Sequence, residues 1–391
     1  MRAVMIGGGV AGAACAIALT RIGAEVTVYE AHDDPAGPVG SFLSLSVNGL
    51  RSLDALGCLP AVQRAGFAVE RQRMWSGRGK LLGDVPRGRR PGDSLHSVTL
   101  MRADLVGTLR EEAVRSGARL LTDRRLTGPR DPAVTGADLV VGADGIWSAT
   151  RRALDPELPD PVYAGLYSVS GTSTGPGDRT PGFTMTYGRR GTFIHLPAPD
   201  GTVWWSAQVV SAEPPADPAA IGVDELAALF HTEPTALALL RAGASVHAGT
   251  LLHVLAPARR RHDGRTVLVG DAAHPVGSGQ GASMAIEDAV ALARALATTG
   301  EVPAALAAFD RVRHDRTGKL AKTAAANRDA KTAGPLATRL RDTFMPFFMG
   351  RFYDRATGWL FDHDPGQLPA PRAEDSRAAA RPAPARVQER R

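Results

Sequence analysis

Residues Arg2 to Ile6 form an apolar run too short for a helix and unbroken enough for a strand buried on both faces. Gly7-Gly8-Gly9-Val10-Ala11-Gly12 follows, then an Ala-rich stretch to about Ile22 that Gly23 stops, and Glu25 to Glu30 alternates as a second strand. These positions predict a complete β-α-β opening. A helix is expected over about Val47 to Leu56. From about Val69 to Val98 the pattern changes to short alternating strands, Gln72 to Ser76 and Lys80 to Val85, which predict a small antiparallel layer leaving the first domain. Arg102 to Ser116 places Leu105, Leu109, Ala113 and Val114 on one helical face. Ala118 to Thr122 and Asp138 to Val141 read as strands. Tyr163 to Val210 reads as mostly antiparallel sheet, turned at Pro176-Gly177, Gly188 and Asp200-Gly201. Thr266 to Val269 returns to a buried parallel strand, and helices are expected over about Ser283 to Ala297, Pro303 to Ala330 and Leu336 to Phe361.

Hydrophobic residues at 44% and charged residues at 22% exclude wholesale disorder over the 391 residues. The net charge of +6 is unevenly placed: the Pro-, Ala- and Arg-rich segment 366–391 carries six Arg against three acids, lacks apolar periodicity and is expected to be disordered. The remaining body is nearly neutral and has no dense basic stripe, so no nucleic-acid partner is expected. Cys15 and Cys58 are too few for a disulfide scaffold or a Cys-type zinc site, so no metal is expected and a reducing, cytoplasmic setting is. No signal peptide or apolar run of about 18 residues appears, so no membrane association is expected either.

Three motifs carry chemistry. In Gly7-x-Gly9-x-x-Gly12 the first glycine permits a tight turn, the second lets backbone amides reach a pyrophosphate, and the third lets helix pack on strand. Amides and the positive end of the helix dipole, including those of Val10 and Ala11, would then face the phosphates. Glu30, 18 residues past Gly12, can accept both ribose hydroxyls, and an acid there points to FAD or NAD with an unphosphorylated adenosine ribose. Thr266-Val-Leu-Val-Gly270-Asp271-Ala-Ala-His-Pro275 is a strand end presenting an Asp, followed by Gly277-Ser-Gly279-Gln-Gly281-Ala282-Ser283 and a helix. A flavin has use for this second site: its ribityl hydroxyls want a carboxylate, and the helix start can stabilise negative charge on the reduced ring, by roughly 0.3–2 kcal/mol per charge. The alternative is that Asp271 only caps the helix. The third motif, Asp138-Leu-Val-Val-Gly-Ala-Asp144-Gly145-Ile-Trp-Ser148-Ala-Thr-Arg151, reads as a turn whose Ser148 and Arg151 are within reach of phosphate.

In this order the three motifs resemble the class A flavoprotein monooxygenases, the p-hydroxybenzoate hydroxylase-like group, over about residues 1 to 360. Ile6 to Gly12 with Glu30 looks like that family's FAD-ADP motif, Ala143-Asp144-Gly145 with Arg151 like its DG motif, and Gly270-Asp271 through Glu287-Asp288 like its GD motif. Arg102 falls at its FAD-contacting arginine, and Ser46 to Gly57 resembles its helix beside the flavin. The resemblance implies an α/β fold: a Rossmann-like FAD-binding domain (1–70, 98–155 and 262–300) interleaved with an antiparallel-sheet substrate domain (71–97 and 156–261), then C-terminal helices (301–365) and the tail. The chain departs from the family between Thr122 and Asp138, where only fifteen residues replace several strands, which puts the usual small meander in doubt.

The resemblance further implies a monomeric or homodimeric enzyme that takes FAD, NADH or NADPH and O2. It would hydroxylate or epoxidise an aromatic or conjugated small molecule through a C4a-hydroperoxyflavin; a dehydrogenase or oxidase, or a flavin-binding protein without redox turnover, is the alternative. Water must be kept from such a site. Met185, Tyr187, Phe193 and Trp205, with Phe183, Trp204, Gln208 and Trp75, lie on strands able to cover it, although packing within the sheet is the simpler role for each. His195 is the candidate general base and His274 sits close to the second glycine loop. Phe344, Phe347, Phe348, Phe352 and Trp359 either roof the substrate or pack the last helix on the core.

Overall fold

The fold is that of a computed structural model, which describes residues 1–33, 41–175, 179–256, 258–275, 279–331 and 335–369. The chain runs β1 (Arg2–Ile6), α1 (Val10–Arg21), β2 (Glu25–Tyr29), β3 (Phe42–Leu45), α2 (Val47–Ala55), α3 (Leu59–Ala65), β4 (Phe67–Val69), β5 (Arg71–Ser76), β6 (Leu81–Pro86) and β7 (Ser97–Met101). Next come α4 (Arg102–Arg115), β8 (Arg119–Leu121), β9 (Leu139–Gly142), α5 (Ala149–Leu154), β10 (Val162–Ser173), β11 (Phe183–Tyr187), β12 (Gly191–Pro197) and β13 (Val203–Val210). It ends with α6 (Val223–Leu229), α7 (Pro234–Arg241), β14 (Ala244–Val254), β15 (Thr266–Leu268), α8 (Gly281–Thr299), α9 (Val302–Lys331) and α10 (Pro335–Phe361).

Among the described residues these strands make three sheets. The first is parallel, in the order β15-β9-β1-β2-β8. Its central strand, β1, is buried from Ala3 to Ile6, so both faces are apolar without alternation. Helix α1 buries Ala13, Ala14, Ala16 and Ala18 along with Ile17 and Leu19, and its small side chains let it lie closely between the sheet and α8. Gly23, at φ +87°, ends it with a turn that a residue bearing Cβ would strain.

The second sheet has the order β14-β10-β13-β12-β11-β5-β6 and is antiparallel except where β11 runs parallel to β5. The β5–β6 hairpin forms one edge of this sheet, β5 pairing with β11. A third small sheet, β3-β7-β4, joins the two, and its strands of three to five residues escaped the sequence pattern because they are too short to show alternation. Also absent from the sequence reading are α3, α6, α7 and β14. Between Thr122 and Asp138 the described chain forms only a 3-10 turn at Pro132–Val134, as its shortness led one to expect.

Two expected packing faces are corrected. Val114 is 51% exposed, and the helix face of α4 instead buries Arg110 beside Leu105, Val106, Leu109 and Ala113. On α10 the aromatic residues Phe344, Phe347 and Phe348 point to solvent; the face turned inward is Met345, Met349 and Tyr353. Of the expected disordered tail, residues 370–391 lie outside the described residues, as do Pro176, Gly177, Gly277 and Ser278. Among the described residues no helix is long and apolar enough to cross a membrane.

Candidate functional site

The first glycine loop joins β1 to α1, and its three glycines are required for different reasons. Gly7 sits at φ +101°, its amide donates to Tyr29 O at 2.8 Å, and a Cβ there would stand 2.4 Å from Ala143 O. A Cβ on Gly12 would stand 1.9 Å from Gly7 O. Gly9 differs: nothing lies within 4 Å of where its Cβ would be, so this side of the loop is open. The open side is where the first amides of α1 emerge, and no side chain caps them.

Glu30 ends β2 under this loop. Its Oε2 accepts the Gly8 amide at 2.7 Å and pairs with Arg110 Nη2 at 3.2 Å, while Oε1 accepts the His32 amide at 3.0 Å. Arg110 Nε donates to Gly8 O at 2.7 Å, so one buried guanidinium ties the loop to the carboxylate. The apolar pattern of α4 concealed this residue; the only signal for it is an Arg at a position where the helix face should be apolar.

At the end of β15, Gly270 has φ +56° and a Cβ on it would fall 2.8 Å from Ala11 Cβ. The two glycine-bearing strand ends therefore touch, although β9 separates their strands. Asp271 is solvent-exposed, yet surrounding protein desolvates its carboxyl and raises its pKa, with His274 and Arg102 pulling the other way. Accessibility together with desolvation is the condition of a carboxylate on the floor of a cleft. Arg102, exposed at the start of α4, opens onto the same cleft. Pro275 is half-buried, and Gly279, at φ +135° with nothing within 4 Å, is open in the way Gly9 is.

The far end of the cleft is built by three loops. Gln280 Nε2 donates to Ser46 Oγ at 2.7 Å, the Ser46 amide donates to Ser283 Oγ at 3.3 Å, and the Val47 amide donates to Gly88 O at 2.9 Å. Gly49 leaves room for Ser283, whose hydroxyl would lie 2.6 Å from a Cβ there. The starts of α2 and α8 are thus pinned together, and the first residues of α8, Gly281 and Ala282, carry no side-chain cap. Ser283 is buried and serves this junction through its side chain.

Beneath the second loop lies an ionic cluster with two carboxylates on α8 and two arginines on α9. Arg313 bridges Glu287 at 2.6 Å and Asp288 at 2.7 Å, and Arg316 holds both oxygens of Glu287 at 2.6 and 2.7 Å. Asn48 Nδ2 adds a bond of 2.7 Å to Glu287, and Asp288 Oδ2 accepts the Gly270 amide at 2.8 Å and lies 2.6 Å from His274 Nε2. Burial pushes Glu287 up, but the bonds from Arg316 and the charges of Arg313 and Arg316 outweigh it and hold the carboxyl at about 2. Asp288 is likewise held well below the carboxylate range by His274 and Arg313 against its burial. His274 therefore orients Asp288, and through it the Gly270 amide.

The third motif closes on itself. Asp144 accepts from Ser148 Oγ at 2.5 Å and from Thr150 N and Oγ1 at 2.9 and 3.0 Å, Ser148 Oγ accepts the Arg151 amide at 2.8 Å, and Arg151 donates to Ala256 O. Ser148 and Arg151 are buried in these roles and do not reach toward a phosphate, contrary to expectation. What the turn offers the site is backbone: Ala143 O abuts Gly7.

Strand register decides which side of the second sheet each residue faces. Met185 pairs with Ile194, and Thr184 with His195, which in turn lies opposite Trp205. Phe183, Met185, Ile194 and Leu196 share one face with Met74 and Leu82 of the hairpin, joined by Tyr187, Trp204, Phe42 and Phe67. Phe42, three residues ahead of Leu45 on β3, meets Phe183 and Trp204 at ring distances of 6.5 and 5.9 Å, so this front face runs into the far end of the cleft. On it Thr192 keeps a buried hydroxyl with no partner among the described residues. Phe193 and Trp205 stack at 6.0 Å on the opposite face, packed on Phe230, Leu226 and Leu239 of the α6–α7 layer, and His195 lies beside Phe193. His195, Phe193 and Trp205 are thereby turned away from the glycine loops, and the expectation that they meet substrate is corrected: their alternation put them on the packing side. A hollow of about 550 Å³ among α6, α7 and the start of β14 lies beyond that layer and includes none of the loop residues.

Known proteins are similar along most of the chain. A family profile described as an FAD binding domain matches residues 125–324, and one described as an NAD(P)-binding Rossmann-like domain matches residues 5–54. An aurachin C monooxygenase/isomerase of Stigmatella aurantiaca is 30% identical over 337 residues, covering 80% of this chain and 85% of the relative. A kynurenine 3-monooxygenase of Salinispora arenicola (strain CNS-205) is 31% identical over 363 residues, covering 83% and 79%. Among solved structures, Klebsiella pneumoniae HpxO complexed with FAD and uric acid superposes with a TM-score of 0.76 over 93% of this chain and 96% of that one, at 23% identity, a likeness of fold.

Proposed function

The chain belongs to the class A flavoprotein monooxygenases, and on that premise we propose that it uses FAD, NAD(P)H and O2 to oxygenate an aromatic or conjugated small molecule held against the front face of its larger sheet. One observation carries the assignment of the site: the Gly270 backbone packs on Ala11, so an open glycine loop and an acidic one form the two halves of a single cleft.

The residues fit the cofactor. Gly9 and the uncapped amides of Val10, Ala11 and Gly12 would receive the pyrophosphate, and Glu30, held by Arg110, would receive the adenosine ribose. Arg102 and Asp271 flank the cleft where phosphate and ribityl hydroxyls would lie, and Pro275, Gly279, Gly281 and Ala282 would border the ring system. When bound, FAD supplies hydride acceptance from NAD(P)H and activation of O2. The protein's part is orientation and dryness. Met185, Phe183, Leu196 and Trp204 present an apolar cover, and Ser46, Gln280 and Ser283 fix the distance between that cover and the cleft. Asp144 supports the reading as a scaffold for the Gly7 turn through Ala143.

The test is direct. Protein reconstituted with FAD is expected to be yellow, to oxidise NAD(P)H faster when an aromatic substrate is added, and to place one atom of labelled O2 in the product. Asp271→Ala and Glu30→Ala are each expected to weaken FAD retention at least tenfold. Wild-type protein that stays colourless with excess FAD overturns the proposal.

A further inference from the structure

Helix α10 is apolar on two faces. The inner one, Met345, Met349 and Tyr353, packs on the β5–β6 hairpin and on the front-face residues around Phe183. The outer one holds Leu340, Phe344, Phe347, Phe348 and Phe352, which fall at i, i+4, i+7, i+8 and i+12 and so line one stripe of the helix. All five are 39–65% exposed, and the Phe352 ring meets those of Phe347 and Phe348 at 5.9 and 6.0 Å. The rings form one patch instead of scattered side chains, and a contiguous exposed apolar patch marks a binding surface. A helix that is apolar toward the protein and again toward solvent has a second partner to meet.

Charge identifies that partner. Arg351 and Arg355 continue the stripe toward the end of α10 and Arg339 stands beside its start; all three are exposed, and among the described residues no acid pairs with any of them. Lys80 and Leu81, both exposed, join from the neighbouring hairpin, where the Lys80 ammonium donates to Asp342 O at 2.7 Å. Residues 302–391 carry 17 Lys and Arg against 10 Asp and Glu, so this part of the chain holds more than the whole net charge of +6. A second copy docking patch to patch would bring two sets of like charges together. The chain's own end is no better matched, since residues 370–391 contain six Arg, no aromatic residue and a single large aliphatic one, Val387. An apolar stripe bordered by unpaired arginines fits a surface that is apolar beneath and anionic on top, the interface of a bilayer bearing acidic lipids. Among the described residues no helix crosses such a bilayer, and none is needed, because an interfacial helix sinks only its apolar face.

We propose that α10 docks the protein on an anionic membrane surface: Phe344, Phe347, Phe348 and Phe352 enter the boundary between headgroups and acyl chains, while Arg339, Arg351 and Arg355 meet lipid phosphates. Docked in this way, the protein holds the front face of its larger sheet one helix away from the lipid, with Met345, Met349 and Tyr353 between them.

The protein, loaded with FAD, would be sedimented with vesicles of phosphatidylcholine alone and of phosphatidylcholine mixed equally with phosphatidylglycerol, at low and high salt. The mixed vesicles are expected to bind at least tenfold more tightly, and salt should weaken that binding because it screens the arginines. Phe344→Ser, Phe347→Ser and Phe348→Ser combined should cut binding to the mixed vesicles at least tenfold while FAD content and Tm stay as in wild type. Arg351→Gln with Arg355→Gln should narrow the gap between the two vesicle types. No binding to the mixed vesicles, equal binding to both types, or binding that survives the three Ser substitutions each overturns the inference. So does a dimer, seen by light scattering, that the same substitutions dissolve while vesicles are ignored. The wild-type comparison of the two vesicle types needs no variant and decides the matter even where a variant fails to fold.

Discussion

Replacing Arg313 by Met should damage the enzyme more than any surface substitution, and by a calculable amount. The side chain is 2% exposed and, among the described residues, is the only group that bridges Glu287 and Asp288, themselves buried. Met fills similar volume, so little cavity forms, but two carboxylates lose a shared countercharge. Breaking a buried pair by removing one partner costs about 3–5 kcal/mol, and Arg316 and His274 keep the loss toward the lower end. At roughly 2.1 cal/mol/K per residue over 391 residues, unfolding entropy is about 0.8 kcal/mol/K, so Tm should fall by about 4–6 °C. The pH dependence distinguishes charge from packing. Glu287 is held at about 2 against an ordinary 4.5, so in wild type this carboxylate's stabilisation is complete above 4.5 and is lost as pH falls toward 2. In the variant the carboxylates protonate more readily, so its deficit is largest near pH 7.5 and shrinks through that window. Calorimetry from pH 3 to 8 measures both. A deficit below 1 kcal/mol at pH 7.5, or one of constant size across the range, would refute the electrostatic account.

Glycine roles can be separated: Gly12→Ala, whose Cβ would strike Gly7 O, should yield little folded protein, while Gly9→Val should keep Tm within about 2 °C and lower FAD affinity at least tenfold, as equilibrium dialysis would show. Arg110→Met frees Glu30 and the Gly8 carbonyl from their shared cation, and both FAD affinity and thermal stability should drop; unchanged values for both would contradict the clamp. His195→Gln should leave the pH profile of kcat/KM unaltered and the rate within about threefold, because the ring lies on the packed side of the sheet; a loss of a hundredfold or a displaced pH optimum would return His195 to the reaction.

Much of the cofactor cleft was legible because its determinants are local. A glycine that must take φ +101° or +56°, followed at once by a helical turn, leaves its mark in adjacent residues, and so the turns at Gly7 and Gly270 could be read from the glycine pattern. What escaped depends on register or on partners far away in the chain. Period-two alternation in β12 and β13 separates Phe193, His195 and Trp205 from Ile194, Leu196 and Trp204, but nothing in it says which set meets the cleft; only pairing with β11 and the α6–α7 layer decides. Arg110 was missed because a charged residue at a buried position is indistinguishable in sequence from one at the surface. The acidic pair Glu287-Asp288 in an otherwise apolar helix, with Arg313 and Arg316 three residues apart on the next, was the one written signal of the ionic cluster.

The strand order of the parallel sheet also dictates when the protein becomes competent during its synthesis. Ala3 of the first strand waits for Leu139, and that strand in turn waits for Thr266, before the row is complete. At about 5–20 residues per second, translation needs roughly 6–25 s to travel from the second of these to the third. Until then the nascent chain has the phosphate loop but no acidic loop to oppose it. A shorter nascent chain cannot offer flavin both loops, so complete binding of the cofactor awaits synthesis past Asp271 of the 391 residues, and growth under riboflavin limitation should leave apoprotein able to recover activity when the vitamin returns.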